Sequence, residues 1–262
     1  MRLVATVLCT LLFSSPLWAA VQGQNLQYQI DGQNYQGYIA KDDSLRGPLP
    51  AVIVVHEWWG HNAYARQRAN MLAAQGYVAM ALDMYGAGKL ASHPEDAKGF
   101  MMAVMEEQGA VQERFLAAKN LLASRPDVKA DRIAAIGYCF GGGVVLNMAR
   151  AGVDLAGIVS FHGSLNPQEG TQPGDVVAPI MVFNGESDPF VPADAVAAFN
   201  QEMQQAQADM VYVGYANAKH SFTSPTATAT GEKFGLPLEY NQAADEDSWR
   251  QASSFLREVL TR

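Results

Sequence analysis

Apolar positions in this chain fall into two patterns: short unbroken runs, and longer stretches in which they recur every three or four residues. Residues 51–55 form a β-branched run, and comparable apolar runs fill 77–82, 131–138, 155–161 and 178–183. Runs of this length suit strands buried on both faces. Residues 210–215 alternate instead, as a strand with one covered face does. Helical spacing occupies 63–74, stopped by Gly76, then 94–124, 141–150 and 192–206, and an amphipathic closing segment over 245–260. The 94–124 stretch is rich in Ala, Met, Glu and Gln and is expected as two helices broken near Gly109. Ahead of all these, 27–30 and 35–40 flank the turn pair Asp31-Gly32, which predicts a β-hairpin. Strands therefore alternate with helices after an initial hairpin. The expected fold is α/β, a mostly parallel central sheet with helices on both faces. Residues 221–240 break the pattern: Thr, Pro and Gly are frequent, no period is visible, and a long irregular connection is expected, either functional or a plain surface excursion.

Residues 1–20 stand outside this pattern. A basic start at Arg2 leads into an apolar run over 3–13, then small residues around Pro16 that end in Ala19-Ala20. This is the layout of a cleaved secretory signal, and the apolar run is shorter than the ~20 residues of a spanning helix. The sequence predicts export to the periplasm or medium, cleavage after Ala19 or Ala20, and one domain over 21–262. Apolar residues make up 49% of the chain, enough for a full core, and the formal charge is −8. An acidic chain without a Lys/Arg cluster is a poor partner for nucleic acid or an anionic membrane surface. Its two cysteines are Cys9, which leaves with the signal, and Cys139, which remains alone. A lone thiol in an oxidising compartment is either an inert buried hydrophobe or is kept for its reactivity.

The surroundings of Cys139 decide for reactivity. Gly137-Tyr138-Cys139-Phe140-Gly141-Gly142-Gly143 follows an apolar strand and opens a helix, the setting of a nucleophile elbow. Glycines two positions either side of the nucleophile allow the close backbone approach of a strained turn. The helix N-terminus favours a thiolate there. A phosphate-binding turn would call for a G-x-G-x-x-G or a terminal Lys-Ser/Thr, and neither is present. A nucleophile needs a base, and the base an orienting acid. His220 follows the 210–215 strand, and Asp188 follows the 178–183 strand. Both stand beyond the carboxyl ends of strands, where α/β sheets place their sites. The chain order nucleophile, acid, histidine is that of α/β-hydrolases. His56-Glu57-Trp58-Trp59-Gly60 ends the 51–55 strand, the loop that contributes one oxyanion-hole N–H in such folds. The residue after the nucleophile, Phe140, would contribute the other. Glu57 beside a nucleophile reads either as a proton-handling group or as a structural carboxylate bonded to loop amides.

Together with Ala81-Leu82-Asp83-Met84-Tyr85-Gly86, Gly185-Glu186-Ser187-Asp188-Pro189 and Lys219-His220-Ser221-Phe222, these motifs resemble the dienelactone hydrolase family over essentially all of 21–262. The resemblance implies the α/β-hydrolase fold and a carboxylic ester or lactone hydrolase of the carboxymethylenebutenolidase type. It implies Cys139, Asp188 and His220 as a triad, with Glu57 acting on the thiol to raise the thiolate when substrate binds. Trp58 and Phe140 N–H groups would form the oxyanion hole, with no cofactor or metal. The family's best-known members hold a substrate carboxylate with two arginines, but Tyr85 here is followed by Gly86-Ala87-Gly88-Lys89 and His220 by Ser221-Phe222-Thr223-Ser224. The dienelactone substrate therefore does not carry over with the nucleophile. Trp59, Tyr85, Lys89, His162 and Ser221 are the candidate substrate contacts, with a structural role the alternative for His162. A binding module that kept the fold without turnover, and an acyltransferase, are the competing functions. Oligomeric state is not encoded in any motif.

Overall fold

The computed structural model of the protein describes residues 21–167 and 170–261. The expected export signal, residues 1–20, lies outside the described residues. The strands are β1 (Val21–Ile30), β2 (Gln33–Asp42), β3 (Leu49–Val55), β4 (Val78–Leu82), β5 (Val128–Tyr138), β6 (Ile158–Phe161), β7 (Ile180–Gly185) and β8 (Met210–Tyr215). They form one sheet in the order β1-β2-β4-β3-β5-β6-β7-β8. From β4 to β8 every pairing is parallel. Only the β1–β2 hairpin and its junction with β4 are antiparallel. Asp31 and Gly32 turn the hairpin at φ 47° and 78°, the paired left-handed conformation that a two-residue turn between twisted strands requires.

The helices are α1 (Ala63–Ala73), α2 (Pro94–Glu106), α3 (Ala110–Ala123), α4 (Phe140–Arg150), α5 (Ala193–Gln205), α6 (Ala227–Phe234) and α7 (Gln242–Thr261). Gly109, at φ 81°, makes the expected break between α2 and α3. Side chains alternate across the central strands, so each strand feeds two cores. Ile53 and Val55 pack with Val104, Phe115, Val145 and Phe199 of α2–α5. Val52 and Val54 pack with Ala69 and Leu72 of α1 and Ala252 and Leu256 of α7. Helices therefore cover both faces of a mostly parallel sheet, as the alternation of patterns predicts.

Two expectations need correction. Residues 155–157 and 178–179 precede β6 and β7 rather than belonging to them. The 221–240 stretch is not wholly irregular, because α6 lies within it. Its Thr-Ala-Thr-Ala-Thr-Gly sequence carries no apolar stripe, and the helix is held by the chain folding back over it. A Cβ on Gly231 would lie 2.5 Å from the Leu238 carbonyl oxygen, and the Gly235 N–H, in the left-handed region, closes the helix on the Gly231 carbonyl.

Parallel register brings the strand ends to one edge. Val55 is level with Gly137, Tyr138 with Phe161, Phe161 with Phe183, and Gly185 with Tyr215. The loops that carry His56, Cys139, His162, Asp188 and His220 all leave from that edge.

Candidate active site

Cys139 sits between β5 and α4 at φ 53°, ψ −114°, a backbone region that side chains seldom adopt. The glycines explain how the turn is tolerated. A Cβ on Gly137 would stand 2.0 Å from the Gly141 carbonyl oxygen, and one on Gly141 would stand 2.3 Å from that of Val55. The Gly141 N–H donates to the His56 carbonyl at 3.1 Å, tying the elbow to the loop after β3. Cys139 itself is half-buried.

The two strand-end partners meet it. His220 Nδ1 is 2.7 Å from Asp188 Oδ2, with both side chains buried. Nδ1 thus faces the acid and Nε2 is left free to face Cys139, the neighbour that acts most strongly to raise the His220 pKa. Burial alone would lower the His220 pKa. Its interactions with Cys139 and Asp188 outweigh burial and raise the value to about 10, which favours the imidazolium. Asp188 is itself fixed by the Phe190 N–H at 2.8 Å, and the Phe190 ring stands edge-on to His220 at 5.1 Å.

Glu57 is buried, and Ser221 Oγ donates to its Oε1 at 2.8 Å. Burial raises its carboxyl pKa against the opposing pull of Ser221, His220 and Arg68. Ser221 therefore contacts Glu57 from a backbone held at φ 57°. The Glu57 carbonyl accepts from the Gly60 N–H at 3.1 Å, closing a turn over 57–60. Among the described residues, neither the Trp58 nor the Phe140 N–H is paired with a protein acceptor. Two open donors from facing loops are what an oxyanion hole requires.

His162 is fully buried at φ 39°. The Cys139 N–H, which donates to the Phe161 carbonyl at 3.0 Å, is shared with His162 Nδ1 at 3.1 Å, so Nε2 carries the ring proton and donates to Thr223 Oγ1 at 2.8 Å. Burial, with His220 and Arg68 nearby, holds its pKa well below the usual value and keeps the ring neutral. The ring lies 5.3 Å from that of His220. Through these contacts His162 joins the elbow backbone to the loop after His220.

A cavity of about 360 Å³ opens beside Glu57 and Ser221. Trp59 and Phe234 form an aromatic wall, 6.2 Å between ring centres, and Thr226, Thr230 and Lys233 approach from α6 and its cap. Of the candidate substrate contacts, Trp59 and Ser221 line this cavity. Tyr85 does not line it and is buried, its hydroxyl donating to the Trp58 carbonyl at 3.1 Å. Lys89 is exposed and does not line the cavity. The cation there is Lys233, in the stretch read as irregular, where no helical period pointed to it. Tyr64, Arg68 and Thr223, which brace His162, carried no motif, because the contact between α1 and residue 223 spans most of the chain.

Residues 35–260 match the model of the dienelactone hydrolase family. A putative carboxymethylenebutenolidase of Escherichia coli K12 is 26% identical, covering 87% of this chain and 83% of its own. A probable 2-oxo-3-(5-oxofuran-2-ylidene)propanoate lactonase of Bradyrhizobium is 29% identical, over 87% of this chain and 90% of its own. Among solved structures, a dienelactone hydrolase-like promiscuous phosphotriesterase from metagenomic libraries superposes at a TM-score of 0.85, with 30% identity, 92% of this chain and 99% of the other. By its matched length, this chain belongs to the dienelactone hydrolase family.

Proposed function

We propose that the protein is an exported carboxylic ester or lactone hydrolase that works through an acyl-enzyme on the Cys139 thiol. The observation that carries this reading is the line Asp188–His220–Cys139 at the carboxyl edge of the sheet. Family membership makes the chain a hydrolase acting on ester bonds. The lactonase and carboxymethylenebutenolidase relatives favour small esters and lactones over larger substrates.

The steps follow from the geometry. The Cys139 thiolate attacks the substrate carbonyl carbon, and the resulting oxyanion receives the Trp58 and Phe140 N–H groups. Removing one such donor typically costs roughly 3–4 kcal/mol of transition-state stabilisation. Collapse breaks the ester bond, and His220 gives its Nε2 proton to the leaving alkoxide. Neutral His220 then takes a proton from water, which attacks the thioester and releases the carboxylic acid and the thiolate. Asp188 fixes the imidazole tautomer and stabilises the imidazolium. Glu57, bonded to Ser221 and made a stronger base by its burial, takes up the proton of the Cys139 thiol as substrate enters the adjoining cavity and leaves the thiolate.

The test is hydrolysis of small p-nitrophenyl esters and of butenolides. Cys139→Ala abolishes turnover, and Cys139→Ser falls far below the parent because the site is arranged for a thiolate. Full activity in Cys139→Ala would end the proposal. Product analysis with added alcohols separates hydrolysis from acyl transfer. Export rests on the basic, apolar and small-residue order of residues 1–20. It predicts that protein recovered from the periplasm or medium begins at Ala20 or Val21, and retention of Met1 there would refute it.

A further inference from the structure

The open Trp58 N–H has to point at the substrate, and a peptide in a loop can flip. The Glu57–Trp58 peptide is fixed through its carbonyl, because in a trans peptide C=O and N–H point opposite ways. Two donors reach the Glu57 oxygen: the Gly60 N–H at 3.1 Å and His56 Nδ1 at 2.6 Å. The tautomer of His56 follows from its other side, where the Met84 N–H donates to Nε2 at 3.2 Å. Nε2 is therefore the acceptor, and Nδ1 carries the hydrogen that goes to Glu57. The ring has no other freedom. It is buried, 4.8 Å from Tyr85 and 6.1 Å from Phe140 between ring centres. Burial also lowers its pKa, so the ring stays a neutral one-donor, one-acceptor group.

His56 reaches the second arm as well. Its own carbonyl accepts the Gly141 N–H at 3.1 Å, two residues beyond Cys139 and next to Phe140. One residue thus sets the peptide that offers the Trp58 N–H and anchors the helix start that offers the Phe140 N–H.

We propose that His56 is a positioning residue for the oxyanion hole, acting through the bond from Nδ1 to the Glu57 carbonyl. The proposal rests on the acyl-enzyme reading above. It assigns His56 no contact with substrate.

Two substitutions separate this role from a merely structural one. His56→Asn places an amide N–H where Nδ1 was and gives up the acceptor for Met84. His56→Gln places an acceptor where Nε2 was and gives up the donor to Glu57. The expected result is that His56→Asn keeps most of kcat while His56→Gln loses it by about 10- to 100-fold at little change in KM, short of the ~10²–10³ of a deleted donor. A substrate-like aldehyde, which forms a hemithioacetal on Cys139 and places its oxyanion in the hole, loses affinity in His56→Gln by the same factor. Alkylation of Cys139 by iodoacetamide needs no oxyanion hole and keeps its rate in both variants. Thermal melts establish that both are folded. The reverse order, with His56→Gln active and His56→Asn impaired, would overturn the proposal in favour of support through Met84. A parallel fall in alkylation would overturn it in favour of an effect on the thiolate. Aldehyde affinity reads the hole without turnover, so a parent protein that binds aldehyde but cleaves no ester would refute the hydrolase reading alone.

Discussion

At the scale of single residues, the site combines groups that the chain would otherwise keep apart. Cys139, His162 and Ser221 all adopt positive φ, and each makes a contact on which the site depends. Glu57 carries a cost of its own, because a carboxyl buried this deeply prefers its neutral form. Its folded pKa is raised above the ordinary 4.5, so the fold favours the protonated acid. Stability is complete below the ordinary value and declines as pH rises through the folded one. Glu57→Gln keeps the shape and the bond from Ser221 while removing the charge. Urea unfolding should show the variant equal to the parent at pH 4 and more stable at pH 8. The gain is about 1.4 kcal/mol for each unit by which the pKa is raised. Esterase activity should fall at least tenfold in the same variant, because an amide cannot exchange a proton with Cys139. Equal stability of the two proteins at pH 8 would show that the carboxylate is well solvated or paired. Cys139, Asp188 and His220 were legible in the sequence because each sits in a short motif at a strand end. His162 and Tyr85 were legible as members of the site but not in their roles, since a role depends on which atom faces which neighbour.

At the scale of elements, the sequence reveals what local chemistry controls and hides what distant contacts control. The hairpin turn, the break at Gly109 and the elbow glycines each follow from residues a few positions apart. The elbow gives the sharpest case. Gly141 faces the Val55 and His56 carbonyl oxygens, at 2.3 and 2.7 Å from a would-be Cβ, and both are backbone atoms that cannot swing aside. Gly141→Ala should therefore separate α4 from β3 and break the bond to His56. The expected loss is at least about 3 kcal/mol, the upper part of the range for overpacking, together with loss of esterase activity. Gly143→Ala on the same helix is the control, because its nearest neighbour would be an ordinary contact at 3.7 Å. Equal chemical-denaturation midpoints for the two variants would contradict the account. The helix α6 shows the opposite limit. Its Thr residues and Gly231 have weak helix preference, and its closure depends on residues 236 and 238 returning across Gly231. No periodicity could reveal that, although it places Lys233 and Phe234 at the cavity.

At the scale of the molecule, the site is tied to the far side of the sheet through one arginine. Arg68, on α1, is buried and pairs with Asp245 of α7. Its Nε donates to Tyr64 Oη at 3.1 Å, and a terminal N–H donates to the Thr223 carbonyl at 2.9 Å. The guanidinium also lies 5.0 to 5.5 Å from the rings of Trp249, Tyr64 and Tyr138. From Thr223 the path continues through Oγ1 to Tyr64 at 2.6 Å and to His162 at 2.8 Å, and so to the Cys139 N–H. The closing helix, the first helix, the loop after His220 and the elbow thus share one buried polar network. Removing one partner of a buried pair leaves the other charge uncompensated and typically costs about 3–5 kcal/mol. Arg68→Met should destabilise by that order and also slow the esterase, because the Thr223 carbonyl is left with the Tyr64 hydroxyl at 3.1 Å as its donor. Adding Asp245→Leu removes the stranded carboxylate and should restore part of the stability, a coupling that a double-mutant cycle measures directly. It does nothing for Thr223, so activity should stay low in the double variant. Recovery of activity along with stability would mean that Arg68 serves only to hold α7, and that the path from Thr223 to Cys139 does not matter to the site.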